Sequence, residues 1–145
     1  MARGTTTESV VEIGKAPVLD YNNKDWEAAK ASMASGYVYD EIATQRRVRG
    51  AEEALAVWRA WATAFPDSKG EIHNAFHSGD TVVLEVTWRG THTGPLETPR
   101  GRMAPTGRRI ELRACQINTV TNGKIQSTRH YFDMNSLLQQ LGSNG

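Results

Sequence analysis

The chain has 145 residues, 39% of them hydrophobic, with four Trp, four Tyr and three Phe; that suffices for one domain with its own core and is too little for two sizeable ones. With 17 Lys and Arg against 16 Asp and Glu, the net charge is +1, which argues against nucleic acid as the main partner, because phosphate binding needs a concentrated basic face. The single cysteine, Cys115, excludes an internal disulfide and a thiolate metal site, and no stretch approaches the ~18 apolar residues of a membrane span.

The N-terminal "MARGTTTESV" lacks the apolar run of a signal peptide. The expectation is a soluble cytoplasmic protein, a single domain over 1–145 with a loose tail over residues 1–8. "VVEIGKAPVLDYNN" is apolar but interrupted by Gly14 and Pro17. Pro is tolerated in a helix's first turn and not in its middle, so a helix begins near Ala16 or a longer one kinks there. "KDWEAAKASMA" reads as a helix with Asp25 as N-cap and Trp26, Ala29 and Met33 on one face. "AEEALAVWRAWATAF" is the strongest helical signal. Leu55, Trp58, Trp61, Ala62 and Phe65 form an apolar stripe, acids occupy the first turn and Pro66 follows the end.

Strands take over after Pro66. "GEIHNAFHSGDTVVLEVTWRGTH" reads as a hairpin turned at Ser78–Gly79–Asp80. "RRIELRACQINTVTNGKIQSTRHYFD" reads as a second, whose Asn122–Gly123 turn suits a type I′ connection. Between them, "GPLETPRGRMAPTG" reads as a loop that could cover an opening. Helices followed by long antiparallel strands predict an α+β domain: a cone-shaped roll of about three helices on a strongly curved sheet, with a central pocket at its open end.

Within the strand 110–120, the even positions Ile110, Leu112, Ala114, Gln116, Asn118 and Val120 are mostly apolar and are assigned to the helix-facing side. Gln116 and Asn118 break the pattern. A buried amide needs partners or costs about 1–3 kcal/mol, so each bonds a helix end or loop backbone, or faces a cavity; Gln116 is a candidate to polarise a ligand carbonyl. Tyr37, Tyr39, Asp40 and Glu41 in "YVYDEIATQRRVRG" lie near the mouth of the cone, where a carboxylate beside apolar side chains can serve as acid or base. On the last strand Gln126, Thr128 and His130 share the face expected to point inward, Ile125 and Tyr131 the other, unless a bulge intervenes. His73 and His77 on one strand are ~13 Å apart by strand rise, too far for one metal ion, and no phosphate loop or nucleophile elbow is present.

"YNNKDWEAAKASMASGYVYDE", "RVRGAEEALAVWRAWATAFPD", "GDTVVLEVTWRGTHTGPL", "PTGRRIELR", "NGKI" and "YFDMNSLLQQLG" together resemble the SnoaL-like branch of the nuclear-transport-factor-2-like superfamily over residues 16–142. The resemblance implies the cone fold, often dimeric through the sheet, and chemistry without metals or organic cofactors, as in polyketide cyclases, ketosteroid isomerase and limonene epoxide hydrolase. It also implies site positions. The cyclases' acid on the last strand falls on His130, and their supporting His on Gln116; both residue types differ here. The isomerases' base falls on Glu41, with Asp40 adjacent, and their acidic oxyanion donor on Gln116. Their helical tyrosine falls on about Pro17 and is missing. Asp133 is expected to cap a final short helix.

The sequence therefore predicts a cofactor-independent enzyme of isomerase, cyclase or epoxide-hydrolase type acting on a small hydrophobic carbonyl or epoxide. Glu41, His130, Gln116 and Asp40 are the catalytic candidates; Trp26, Tyr37, Trp58, Trp88 and Asn118 are the substrate-binding ones. A homodimer through the outer sheet face, where Glu85, Thr87, Arg89, Glu111 and Arg113 would pair across strands, is the expected assembly. The alternative is a non-catalytic binding or interaction module of the same fold.

Overall fold

The computed structural model describes residues 7–142. Most of the expected tail, residues 1–6, lies outside the described residues, and Thr7 already begins a helix. That helix, α1 (Thr7–Gly14), is followed after Lys15 by α2 (Ala16–Asn22), with Pro17 in its first turn. The proline thus breaks one apolar segment into two helices, because its ring and missing N–H are compatible only with a helix start. α3 (Trp26–Ser32) opens on Asp25, whose carboxylate accepts from Ala28 N–H. Met33 is not in α3; it begins β1 (Met33–Glu41) while staying buried.

A 3₁₀ turn (Ile42–Thr44) and β2 (Arg46–Arg49) lead to α4 (Ala51–Ala64). The chain does not run helices first: β1 and β2 are inserted between α3 and α4. Then come β3 (Lys69–Ser78), β4 (Thr81–Thr91), β5 (Leu96–Thr98), β6 (Gly101–Met103), β7 (Arg109–Thr121), β8 (Lys124–Phe132) and α5 (Met134–Gln140), which Asp133 caps as expected. The segment read as a plain loop contains the hairpin β5–β6, whose Leu96 is buried beneath it.

The main sheet has the order β2–β1–β8–β7–β4–β3. All its pairings are antiparallel except β1 with β8, which is parallel and places Glu41 in register with His130. Five helices on a curved, mostly antiparallel sheet give the α+β cone. The β7–β8 hairpin turns at Asn122 (φ 51°) and Gly123 (φ 79°), the left-handed pair that a type I′ turn requires. Just after this turn Gln126 is bulged out: Val120 pairs with Ile125 but Thr119 with Ser127. The extra residue puts Ile125 on the inner face together with Thr128 and His130, while Tyr131 stays outside.

Val82, Leu84 and Val86 of β4 are buried under the helices. Gly14 lies so close to β4 that a Cβ there would sit 2.5 Å from Val82 Cβ, and its carbonyl accepts from Asn118 Nδ2 at 2.8 Å. Asn22 clamps α2 to β3 with two hydrogen bonds, Nδ2 to Gly70 O at 2.8 Å and Gly70 N to Oδ1 at 2.7 Å. One apolar cluster lies under α1–α4; a second, around Phe65, Leu96, Ile110, Leu112 and Leu137, sits beneath the hairpin β5–β6 and α5.

Candidate active site

Residues of both clusters enclose a cavity in which the centre of a water molecule can move through ≈ 70 Å³. One water needs about 10–15 Å³ by this measure, so the space admits several waters or a small ring compound. Its wall is almost wholly apolar and aromatic. α4 contributes Trp58, Trp61 and the following Phe65, spaced three and four apart on one helix face. β4 contributes Trp88, β7 contributes Ile110, Leu112 and Gln116, and β8 contributes His130 and Phe132. Pro17 and Tyr21 of α2, Tyr39 of β1, Ser68 and Leu137 complete it.

Of the catalytic candidates, His130 and Gln116 line the cavity. They are cross-strand partners on β8 and β7, so the sheet register itself sets them side by side. The Trp88 Nε1–H points at His130 Nε2 at 3.3 Å. An indole N–H only donates, so Nε2 accepts and the proton of the neutral imidazole sits on Nδ1. Nδ1 lies 2.9 Å from the Tyr39 hydroxyl, which donates in turn to Glu41 Oε2 at 2.8 Å. A relay Trp88–His130–Tyr39–Glu41 results, in which the Trp88 N–H occupies the lone pair of Nε2 and the imidazole ring lies on the cavity wall.

Glu41 lies at the far end of that relay and not on the cavity wall. It is fully buried, and four donors converge on it: Tyr39 and Trp61 Nε1 (2.8 Å) on Oε2, Thr44 Oγ1 (2.6 Å) and Arg46 Nη2 (2.9 Å) on Oε1. Burial opposes its ionisation, but the Thr44 bond, the Arg46 guanidinium, the neighbouring His130 and the Trp61 bond together hold its pKa below the usual carboxylate value. A carboxylate so saturated is a poor base. The expectation that Glu41 acts directly on a ligand gives way to a positioning role. His130 is governed by burial, which pushes its pKa down to about 4 against the opposing pull of Glu41. It is therefore neutral near pH 7.

The other expected site residues are elsewhere. Asp40 points to the outer sheet face, in register with Arg47 and Arg129. Trp26 packs edge-on against Tyr21 behind the wall (centroids 5.8 Å). Tyr37 is buried and donates to Thr128 Oγ1 at 2.6 Å. Asn118 is committed to the end of α1 through Gly14. Trp58 and Trp88 do line the cavity.

Trp61, Phe132, Tyr21 and Ser68 line the cavity without having been expected there, and Tyr39, expected near the mouth of the cone, bridges His130 and Glu41. For Tyr39 a signal existed: Tyr37, Tyr39 and Glu41 alternate with Val38 and Asp40, the two-residue period that puts all three on one face of a strand. Tyr21 stands one helical turn after Pro17 and supplies a tyrosine on the α2 face where none was expected. Among the described residues, no group of three or more His, Cys, Asp or Glu is placed to hold a metal ion. No helix among them is long and apolar enough to cross a membrane.

Replacing Glu41 by Gln turns an amide N–H toward donors whichever way it is oriented. E41Q is expected to lower stability by about 3 kcal/mol, read as a fall in the urea midpoint at pH 7. A change below about 0.5 kcal/mol would mean that the carboxylate does not organise the site.

The SnoaL-like polyketide cyclase family model matches residues 17–141. Among solved structures, a SnoaL-like protein from Jannaschia sp. CCS1 is similar, at TM-score 0.85 and 18% identity over 100% of this chain and 99% of that one. TsrD from Streptomyces laurentii is similar at TM-score 0.81 and 23% identity, over 97% and 99%. An LEH-like epoxide hydrolase from M. tuberculosis is similar at TM-score 0.71 and 20% identity, over 93% and 90%. These likenesses concern the fold. No curated protein matches the chain in sequence. The family match spans most of the chain, and the cone with its cavity is the fold it implies: the chain belongs to the SnoaL-like polyketide cyclase family.

Proposed function

We propose that the protein is a cofactor-independent acid/base enzyme acting on a small hydrophobic carbonyl compound, with His130 as the proton acceptor and Gln116 as the oxyanion donor. The observation that carries this reading is the pairing of an imidazole Nε2 acceptor with an adjacent amide at the wall of an otherwise apolar cavity. In the reaction, the ligand displaces the Trp88 N–H from the Nε2 lone pair, a C–H beside the carbonyl gives its proton to Nε2, and the electron pair moves to the carbonyl oxygen, where the Gln116 amide donates to the developing charge. The imidazolium keeps its Nδ1–H on Tyr39, and Glu41 balances its charge through that hydroxyl. The enolate then takes the proton back at another carbon, an isomerisation. Alternatively it closes a ring on a second carbonyl, whose alkoxide His130 protonates.

A base held near pKa 4 is weak, and each unit separating it from the carbon acid adds about 1.4 kcal/mol to the free energy of the proton transfer, a fraction of which appears in the barrier. The reading therefore favours an activated C–H, flanked by two electron-withdrawing groups, over that of an isolated ketone. Epoxide opening by a water that His130 deprotonates uses the same residues, and the likeness to an LEH-like epoxide hydrolase makes it the reaction to assay beside enolisation.

We also propose a homodimer through the outer sheet face. Phe76, 56% exposed, is in register with Val83 and Ile117, an apolar row that ends at the charged pair of positions Arg129 and Asp40. Arg89 pairs with Glu111 (2.7 Å) and Glu71 (2.8 Å) on the same face. Phe76→Glu is expected to convert a dimer to a monomer in light scattering; an unchanged mass would contradict the dimer.

The catalytic reading is tested by deuterium exchange at the activated carbon of a cyclic β-keto ester, and by hydrolysis of cyclohexene oxide. H130A should lower the enzymatic rate by about 10²–10⁴, and Gln116→Leu by about 10²–10³. Because His130 must be neutral, the rate should be flat above pH 5 and fall with a midpoint near 4. Rates no faster than buffer on both substrates, or an undiminished H130A, would overturn the reading.

A further inference from the structure

A second polar cluster lies on the cavity wall, separated from His130 by the Trp88 ring that both contact. Tyr21 and Ser68 both line the wall, and their hydroxyl oxygens are 2.6 Å apart. Two hydroxyls carry two protons, and one hydrogen bond between them uses one. Whichever donates, the other proton remains, and among the described residues neither hydroxyl has another acceptor. The pair thus always holds one spare donor beside the cavity.

The pair is rigidly set. Asn22 clamps α2 to β3, as described above. Lys24, in the left-handed region at φ 52°, brings its ammonium over the Tyr21 ring (4.3 Å) and onto the Ser68 carbonyl at 2.6 Å. Lys24 itself does not line the cavity, leaving the hydroxyls as the polar side-chain groups of this wall.

The two polar clusters flank one side chain. The Trp88 ring is edge-on to Tyr21 (centroids 5.2 Å) and to His130 (6.0 Å). On the His130 side, the Gln116 amide N–H₂ also has no acceptor among the described residues. A largely apolar cavity with two unspent donors, one on each of two neighbours of Trp88, is complementary to an apolar body with two separated acceptor oxygens.

We propose that Tyr21 and Ser68 form a second oxygen-binding subsite, and that the protein selects ligands carrying two oxygen functions at opposite ends of a compact hydrophobic skeleton. This deepens the reading above, resting on its assignment of the first oxygen to Gln116, and assigns no role in proton transfer to the new pair.

The test is calorimetric titration with a trans-decalone bearing one carbonyl and with the trans-decalindione bearing a second at the far end. The wild type should bind the diketone about tenfold more tightly. The single variants Tyr21→Phe and Ser68→Ala should each keep most of that preference, because the surviving hydroxyl regains a free proton. The double variant should lose it, while its affinity for the monoketone changes less than twofold, which also reports an intact cavity. Equal binding of the two ketones by the wild type, or a preference that survives in the double variant, would overturn the subsite. If neither ketone binds, the subsite and the hydrophobic-carbonyl reading both fall. Turnover does not enter this measurement, so loss of the subsite alone leaves the role of His130 standing.

Discussion

The structure is organised around one buried carboxylate. Glu41 is withdrawn from water and still ionised because Tyr39, Thr44, Arg46 and Trp61 all donate to it. These donors come from β1, the 3₁₀ turn, β2 and α4, so satisfying the charge fixes the relation of four consecutive pieces of chain. A buried carboxylate tolerates no missing partner. The geometry of the helix that carries the aromatic wall is therefore tied to that of the edge of the sheet.

The same anchor shapes the chemistry. The single parallel pairing, β1 with β8, sets Glu41 beside His130, and Tyr39 bridges them. Burial among Trp88, Phe132 and Tyr39 keeps the imidazole neutral. The Trp88 N–H and the Tyr39 oxygen specify its tautomer. The protein thereby holds an uncharged imidazole on the wall of a largely apolar cavity, with the negative charge of Glu41 two hydrogen bonds away.

Much of the fold was legible. The Asp25 and Asp133 caps, the Trp58–Trp61–Phe65 stripe and the Asn122–Gly123 turn are local signals, and local chemistry decides them. β1 and β2 were harder to see: β1 pairs in parallel with the distant β8, and its antiparallel neighbour β2 follows a 3₁₀ turn whose left-handed residue is Gln45 and not Gly or Asn. The bulge at Gln126 depends on register with β7 and likewise has no composition of its own. At the site, the inward facing of Gln116 and His130 followed from alternation along the strands. The sequence could not say that Glu41 would be saturated by donors, since Thr44 is three residues away but Trp61 is twenty. The departure of Trp26 and Asn118 from the cavity has the same origin: each meets a partner, Tyr21 or Gly14, that only the folded chain supplies.

The central claim is a neutral His130 with its proton on Nδ1. The most direct measurement is ¹⁵N chemical shifts of the histidine side chains from pH 7 to pH 4, with H130A used to assign the resonance. The account predicts one imidazole in the Nδ1–H form at pH 7, with an acceptor-type Nε2, that gains its second proton only near pH 4. An Nε2–H tautomer at pH 7, or an imidazolium already formed there, would contradict it.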